Sequence, residues 1–145
     1  MSIRQISVLM ARVALFVIYF WFGLLKVVGQ SPATAMVSEL FTKTMPHMMP
    51  FMSFGVFIIL FGLFEMAIGI LFLIPGAERY ALITFFLHII MTALPLFMIS
   101  SVWTGMFVPT LEGQYIVKNL ALIACALTVW SSLPPKLKMQ TDATI

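Results

Sequence analysis

Residues 51–74 read FMSFGVFIILFGLFEMAIGILFLI, an apolar stretch with a single charged residue, Glu65. A helix rises about 1.5 Å per residue, so roughly 20 residues cross the hydrocarbon core of a bilayer, which is about 30 Å thick. Lipid offers the backbone no water, and the stretch lacks the alternation of a barrel strand. Residues 51–74 are therefore predicted to form a membrane-spanning helix.

Three further segments are as long and as apolar: 6–28, 80–102 and 115–133. The chain of 145 residues is 62% hydrophobic and only 9% charged, a composition outside the range of soluble proteins. The first segment is too long for a signal peptide, so it is expected to be retained. The predicted fold class is all-α, an integral membrane four-helix bundle, with residues 1–145 as a single transmembrane domain.

A short additional helix is predicted between the first two spans, at about residues 32–45. Ser31 is placed to cap it, Pro32 suits its first turn, and Pro46 is expected to follow its end. Apolar residues recur there at helical spacing, which is typical of a helix that lies on the membrane surface.

Basic residues outside the spans predict the orientation. Arg4, Arg79, Lys136 and Lys138 lie on the side of the termini, whereas Lys43 lies on the other side. The positive-inside rule then places both termini in the cytoplasm, as in a bacterial-type inner (plasma) membrane protein. The net charge of +3 follows from this bias. No basic run is interleaved with aromatic residues, so nucleic acid is not an expected partner.

Glu65 belongs to a helix face that is predicted to turn toward a neighbouring helix. Gly55, Gly62, Gly69 and Gly76 repeat every seven residues along that face, and small residues let membrane helices approach each other. A carboxylate facing lipid would be costly. Glu65 is therefore expected to point into the bundle.

An inner polar network of Arg12, Glu65 and His88 is predicted from depth. Each lies roughly 8 to 10 residues, or about 12 to 15 Å, from the cytoplasmic end of its segment. Under one interpretation, Arg12 and Glu65 pair to fix helix register and His88 completes the network. Under the other, Glu65 and His88 exchange a proton beside a bound headgroup, and Arg12 tunes them.

A second, cationic cluster is predicted near the outer ends of the first and last helices. Lys26 and Lys118 lie there on inward stripes, and Tyr19, Gln114 and Asn119 are further candidates for ligand binding. Converging cations in a partly dry site attract a carboxylate, a phosphate or a quinone carbonyl. The alternative is that both lysines simply extend to the interface along their stems.

No intrinsic cofactor and no metal site are expected. Cys125 is the sole cysteine, so the chain has no disulfide or redox pair of its own. His47 in the outer loop and His88 in the third helix are too far apart for bis-histidine haem ligation. Catalytic residues are not identified by any pattern in the sequence.

Several motifs together resemble the DoxX-like membrane proteins. They are FGLLK at 22–26, GLFEMAIGILFLIPGAER at 62–79 and the lysine of the last helix, Lys118. The stretch PTLEGQYIVKNLALIACAL at 109–127 is similar to the branch associated with resistance to reactive chlorine. The resemblance extends over nearly the whole chain.

The resemblance implies four transmembrane helices. It also implies that Lys26, Glu65 and Lys118 correspond to the family's polar intramembrane positions, and Arg12 to its first-helix arginine. Phe22 stands where many members carry a histidine, so no role of that histidine transfers. Association with quinone-linked oxidoreductase complexes or with oxidative-stress defence is further implied.

The leading functional hypothesis is a quinone- or small-ligand-binding accessory subunit linked to redox or oxidative-stress processes. Its expected ligand is a membrane quinone, and its expected partners are membrane lipid and a redox partner subunit or a second copy of the chain. The alternative is a non-catalytic scaffold or assembly factor with a structural polar interior. A small transporter is a third hypothesis, and it would need to oligomerise.

Overall fold

Four long helices dominate the computed structural model, which describes residues 1–48 and 50–133; the side chains of His47 and Met48 lie outside this description. Three spans are α1 (Ile3–Val27), α3 (Phe54–Leu73) and α6 (Leu111–Trp130); the fourth is formed by α4 (Glu78–Ala93) and α5 (Pro95–Met98). All four are long and apolar enough to cross a membrane. This confirms the predicted all-α, multi-pass bundle.

The four spans pack in a ring. Helix α1 contacts α3 and α6, and α4 contacts the same two helices from the opposite side. An apolar core fills the half of the ring nearer the termini, and its fully buried side chains include Leu15, Ile68, Phe72, Phe85 and Val129. The sides of the bundle also expose large apolar residues, among them Val17, Leu60, Ile83, Leu87 and Leu120. A bundle that is apolar on both sides suits a lipid environment.

Helix α1 begins earlier than predicted, at Ile3. Ser2 caps it by accepting a hydrogen bond from the Gln5 backbone N–H, and the Gln5 side chain accepts one from the Ser2 N–H. This reciprocal capping satisfies two of the donors that a helix start leaves free. At 25 residues, α1 is longer than the 20-residue helices α3 and α6.

The third span ends earlier than the predicted boundary at residue 102. Helix α4 ends at Ala93, and the short helix α5 begins at Pro95, which carries no backbone N–H to continue the α4 ladder. A 3-10 turn at Ser100–Val102 then follows the end of the span. Residues beyond Met98 therefore belong to the outer loop.

The predicted short helix in the first outer loop is present as α2 (Thr34–Met48). It continues through Pro46, so this proline does not end the helix where the sequence pattern predicts. Helix α2 covers the outer end of the bundle, where it contacts α3 and α5. Phe41 anchors it, because its buried ring packs on Phe54 and Phe57 of α3.

A two-stranded antiparallel ribbon in the second outer loop was not predicted. Strand β1 (Trp103–Gly105) pairs with β2 (Val108–Pro109), and Phe107 in the turn adopts a φ of 60°, which is uncommon for a residue with a side chain. The Trp103 ring N–H donates to the Leu96 carbonyl at 2.9 Å, which ties the ribbon to α5.

The attachment of α2 to the outer loop is expected to weaken in acid. A hydrogen bond from Lys43, which is the larger cause, and one from Ser101 lower the pKa of Glu39 below its ordinary value of 4.5. A carboxyl whose folded pKa is lowered stabilises the fold above its unfolded pKa, and this contribution is lost as the pH falls through the folded value. The protection factors of the α2 amides, which are corrected for the intrinsic effect of pH on hydrogen exchange, should therefore fall below about pH 4.5. Glu39→Gln should remove this pH dependence, and an unchanged dependence would contradict it.

Candidate functional site

A buried ion pair joins α1 to α3 in the interior of the bundle. The Lys26 ammonium nitrogen lies 2.6 Å from Oε2 of Glu65, and each side chain is only 7% exposed. Glu65 therefore points inward, as predicted. Its cationic partner, however, is Lys26 and not Arg12.

His88 and Tyr19 extend this pair into a chain of four side chains. Nε2 of His88 lies 2.9 Å from the other Glu65 oxygen, Oε1, and Nδ1 of His88 lies 3.0 Å from the Tyr19 hydroxyl. All four residues are buried. We call Tyr19, His88, Glu65 and Lys26 the buried polar chain.

The contacts fix the direction of each hydrogen bond when Glu65 is ionised. A carboxylate can only accept, so Nε2 of His88 carries the proton that it donates to Glu65. Nδ1 of a neutral imidazole then accepts, and the Tyr19 hydroxyl donates to it. The buried polar chain is thus consistent with one arrangement of protons, and no fully buried side-chain nitrogen or oxygen among the described residues lacks a partner.

Two glycines bring the ion pair together. A Cβ on Gly23 would lie 2.6 Å from the Gly62 carbonyl oxygen, and a Cβ on Gly62 would lie 2.6 Å from the Gly23 oxygen and 2.9 Å from the Lys26 Cβ. The backbones of α1 and α3 therefore touch at this point. Lys26 and Glu65 each follow their glycine by three residues, so both lie beside the contact.

Side-chain direction explains why Lys26 reaches Glu65. Side chains on a helix lean toward its N-terminus. Because α1 and α3 run antiparallel, the Lys26 stem leans toward the termini side of the bundle, while the Glu65 stem leans toward the outer side. The two charged ends consequently meet between the helices.

Aromatic rings cover the buried polar chain on the α3 side. Phe61 stacks on the His88 ring at a centroid distance of 5.2 Å and an interplanar angle of 21°, and the Lys26 ammonium lies 5.7 Å from the Phe61 ring centre. Phe57 stacks in turn on Phe61, and Phe64 lies 6.1 Å from His88. These three phenylalanines are only half-buried, so their rings form the boundary between the polar chain and the surface.

Arg12 is not part of the buried polar chain, which corrects the predicted inner network. Its Nη1 pairs with Glu78 at 2.8 Å, and its Nε donates to the Phe72 carbonyl at 2.7 Å. That carbonyl is among the last four of α3, which have no partner within the helix. Arg12 thus caps the end of α3 and joins it to the start of α4.

Arg12 lies away from Glu65 and His88 because the spans do not begin at one level, contrary to the prediction from depth. Helix α1 begins several residues before the level at which α3 ends, so residue 12 of α1 lies beside Phe72 and Glu78. Arg12, Tyr19 and Lys26 are spaced by seven residues, and all three turn toward other helices of the bundle. Arg12, the one nearest the termini, was assigned to the wrong partners, since it bonds to Glu78 and to the Phe72 carbonyl.

The predicted cationic cluster of Lys26 and Lys118 is not formed, because Lys26 is buried and Lys118 is not. Lys118 is exposed, and its ammonium lies 5.3 Å from the ring centre of Tyr115 on the same helix. Gln114 is exposed and Asn119 is half-buried. The two lysines therefore occupy different environments, and of the five ligand-binding candidates only Lys26 and Tyr19 enter the buried polar chain.

Within residues 1–48 and 50–133, no group of three or more histidine, cysteine or acidic residues is arranged to hold a metal ion. No protein-family model, no curated protein and no solved structure matches the chain. Inferences about function therefore depend on the buried polar chain and its surroundings.

Proposed function

We propose that the protein is a DoxX-like inner-membrane accessory subunit whose buried polar chain receives the headgroup of a membrane quinone. The observation that carries this proposal is the continuous series of three hydrogen bonds from Tyr19 through His88 and Glu65 to Lys26. All four side chains can gain or lose a proton. Such groups are costly inside a membrane, so their presence favours a functional role.

The surroundings of the chain suit a flat, lipid-soluble ring. Phe57 already stacks on Phe61, which in turn stacks on His88, and aromatic rings prefer offset-stacked partners. A quinone ring could approach these half-buried phenylalanines from the bilayer without crossing water. Its carbonyl oxygens accept hydrogen bonds, and the Lys26 ammonium has three N–H groups, of which Glu65 takes one.

Quinone reduction takes up two electrons and two protons. The proposed role of the buried polar chain is to bind the headgroup and to pass protons along His88 and Glu65. A neutral imidazole can do so because it accepts a proton at one nitrogen while it donates one from the other. The electrons would come from a redox partner subunit. This division of roles fits an accessory protein better than a complete enzyme.

The proposed orientation places both termini in the cytoplasm. Arg4 and Arg79 lie near the starts of α1 and α4 on the termini side, and Lys43 lies in α2 on the opposite side. Lys136 and Lys138, which strengthen the same bias in the sequence, lie outside the described residues. The outer end covered by α2 would then face away from the cytoplasm.

Binding of a short-chain quinone analogue to purified protein in lipid nanodiscs tests the proposal. The Lys26→Met/Glu65→Gln double variant removes both charges yet keeps the shape of each side chain and an acceptor for His88. It should weaken quinone binding by at least about tenfold, the equivalent of one charge-assisted hydrogen bond.

The matched control is Leu60→Ala, which removes an exposed apolar side chain from the same helix. It should leave the affinity unchanged. Equal affinity of the wild type and the double variant would exclude the buried polar chain as the quinone site.

A scaffold or assembly factor is the second candidate, and one observation favours it. The buried polar chain is satisfied by its own members, so it can fix the register of α1 against α3 without any ligand. In that case the double variant would bind the same protein partners as the wild type, provided that it folds.

A further inference from the structure

An amphipathic groove lies on the termini side of the bundle, between the start of α1 and the end of α3. Its volume is about 670 Å³, within the range of roughly 300 to 1,000 Å³ that is typical of small-molecule sites. Polar groups of Arg4, Gln5 and Arg12 line part of it, and the apolar side chains of Val8, Leu9 and Leu73 line the rest. We call these six residues the arginine groove.

The guanidinium groups in the arginine groove keep unused donors. Arg4 donates one hydrogen bond to a described residue, from Nη2 to the Ser131 carbonyl at 2.8 Å. Arg12 uses Nε and Nη1, and Glu78 balances its charge. A guanidinium has five N–H groups, so both arginines can donate further bonds to a ligand. The charge of Arg4 has no carboxylate partner among the described residues.

The groove lies at the level where α3 ends. Leu73 is the last residue of α3, and Arg12 bonds to the carbonyl of Phe72 just before it. The arginine groove thus begins where a membrane span ends. Its apolar wall would meet the upper part of an acyl chain, and its guanidinium groups would meet the phosphate.

We propose that the arginine groove binds an anionic phospholipid, with Arg4 and Arg12 donating to the phosphate and Val8, Leu9 and Leu73 contacting the acyl chain. Arginine matches phosphate because its planar group offers two parallel donors. A soluble phosphate would use the same donors, but it would gain nothing from an apolar wall. The experiment below therefore distinguishes a phospholipid from free phosphate as the ligand.

Native mass spectrometry of the purified full chain with phosphatidylglycerol tests the proposal. Arg4→Gln should weaken retention of this lipid by about tenfold, because one charge-assisted contact to phosphate is lost. Arg4→Lys keeps the charge and should lose less. The matched control is Arg79→Gln, which removes a cation on the same side of the membrane but outside the groove, and it should retain the lipid as the wild type does.

Three results would overturn the proposal. Equal losses in Arg4→Gln and Arg79→Gln would indicate general attraction between a basic surface and an anionic lipid. Equal retention of phosphatidylcholine would show that the lipid's charge is not recognised. Displacement of the lipid by millimolar inorganic phosphate would identify a free phosphate as the ligand. Thermal unfolding of Arg4→Gln without lipid, expected near the wild-type temperature, separates a lost site from a lost fold.

Discussion

Gly62→Ala is expected to lower the free energy of unfolding by about 3 kcal/mol, because the added methyl group would overlap the backbone of α1. Its Cβ would lie 2.6 Å from the Gly23 carbonyl oxygen and 2.9 Å from the Lys26 Cβ. A backbone atom cannot move aside as a flexible side chain can, so the two helices would have to separate. Unfolding of the purified protein in mixed micelles, followed as the fraction of a denaturing detergent is raised, measures this change.

Gly55→Ala provides the matched control on the same helix. A Cβ on Gly55 would meet nothing within 4 Å, and alanine is favoured over glycine in a helix by up to about 1 kcal/mol. This variant should be as stable as the wild type or slightly more stable. If both alanine variants behaved alike, the close approach of α1 and α3 would be wrong.

The second large effect concerns the buried ion pair. Glu65→Gln leaves the Lys26 ammonium buried without a counter-charge, and Lys26→Met leaves the carboxylate with His88 alone. Removing one partner of a buried pair costs about 3 to 5 kcal/mol. Each single variant should therefore unfold at a clearly lower denaturant concentration than the wild type.

The double variant Lys26→Met/Glu65→Gln is expected to recover most of that loss. It leaves no unpaired charge, and replacing a whole buried ion pair with neutral groups of similar volume is often close to neutral. A double-mutant cycle should give a coupling energy of at least about 2 kcal/mol. Losses that simply add would show that Lys26 and Glu65 do not interact.

The spans could be predicted from the sequence because lipid imposes one strong condition. A segment such as 51–74 must satisfy its own backbone hydrogen bonds, and only a helix does so within one segment. The ends of the spans depended on local chemistry instead. Pro95 divides the third span, and the Ser2 cap starts α1 at Ile3, before the predicted boundary at residue 6.

The candidate site could be predicted in part. Lys26 was predicted to lie on an inward stripe with Tyr19 as a further ligand candidate, and the cost of a charge in lipid predicted that Glu65 points inward. The pairing depends on how α1 slides along α3, which the Gly23–Gly62 contact sets. A signal for it was present in the sequence, since each of these glycines precedes a charged residue by three positions.

Features outside the spans were less accessible to sequence reasoning. The ribbon of β1 and β2 is short and lacks a glycine at the turn position with positive φ, which Phe107 occupies.

The exposure of Lys118, which lies within the span α6, depends on how α6 is rotated about its axis. Polar residues at intervals of three or four define a face, but they do not determine whether it turns inward.

Identification of the molecules that copurify with the protein tests the central claim most directly. The wild type and the Lys26→Met/Glu65→Gln variant would be extracted gently from their native membrane, and bound small molecules and subunits would be identified by mass spectrometry. A quinone bound to the wild type and absent from an equally folded variant is the expected result. Protein partners retained by both forms, with no quinone in either, would contradict the claim and favour a scaffold.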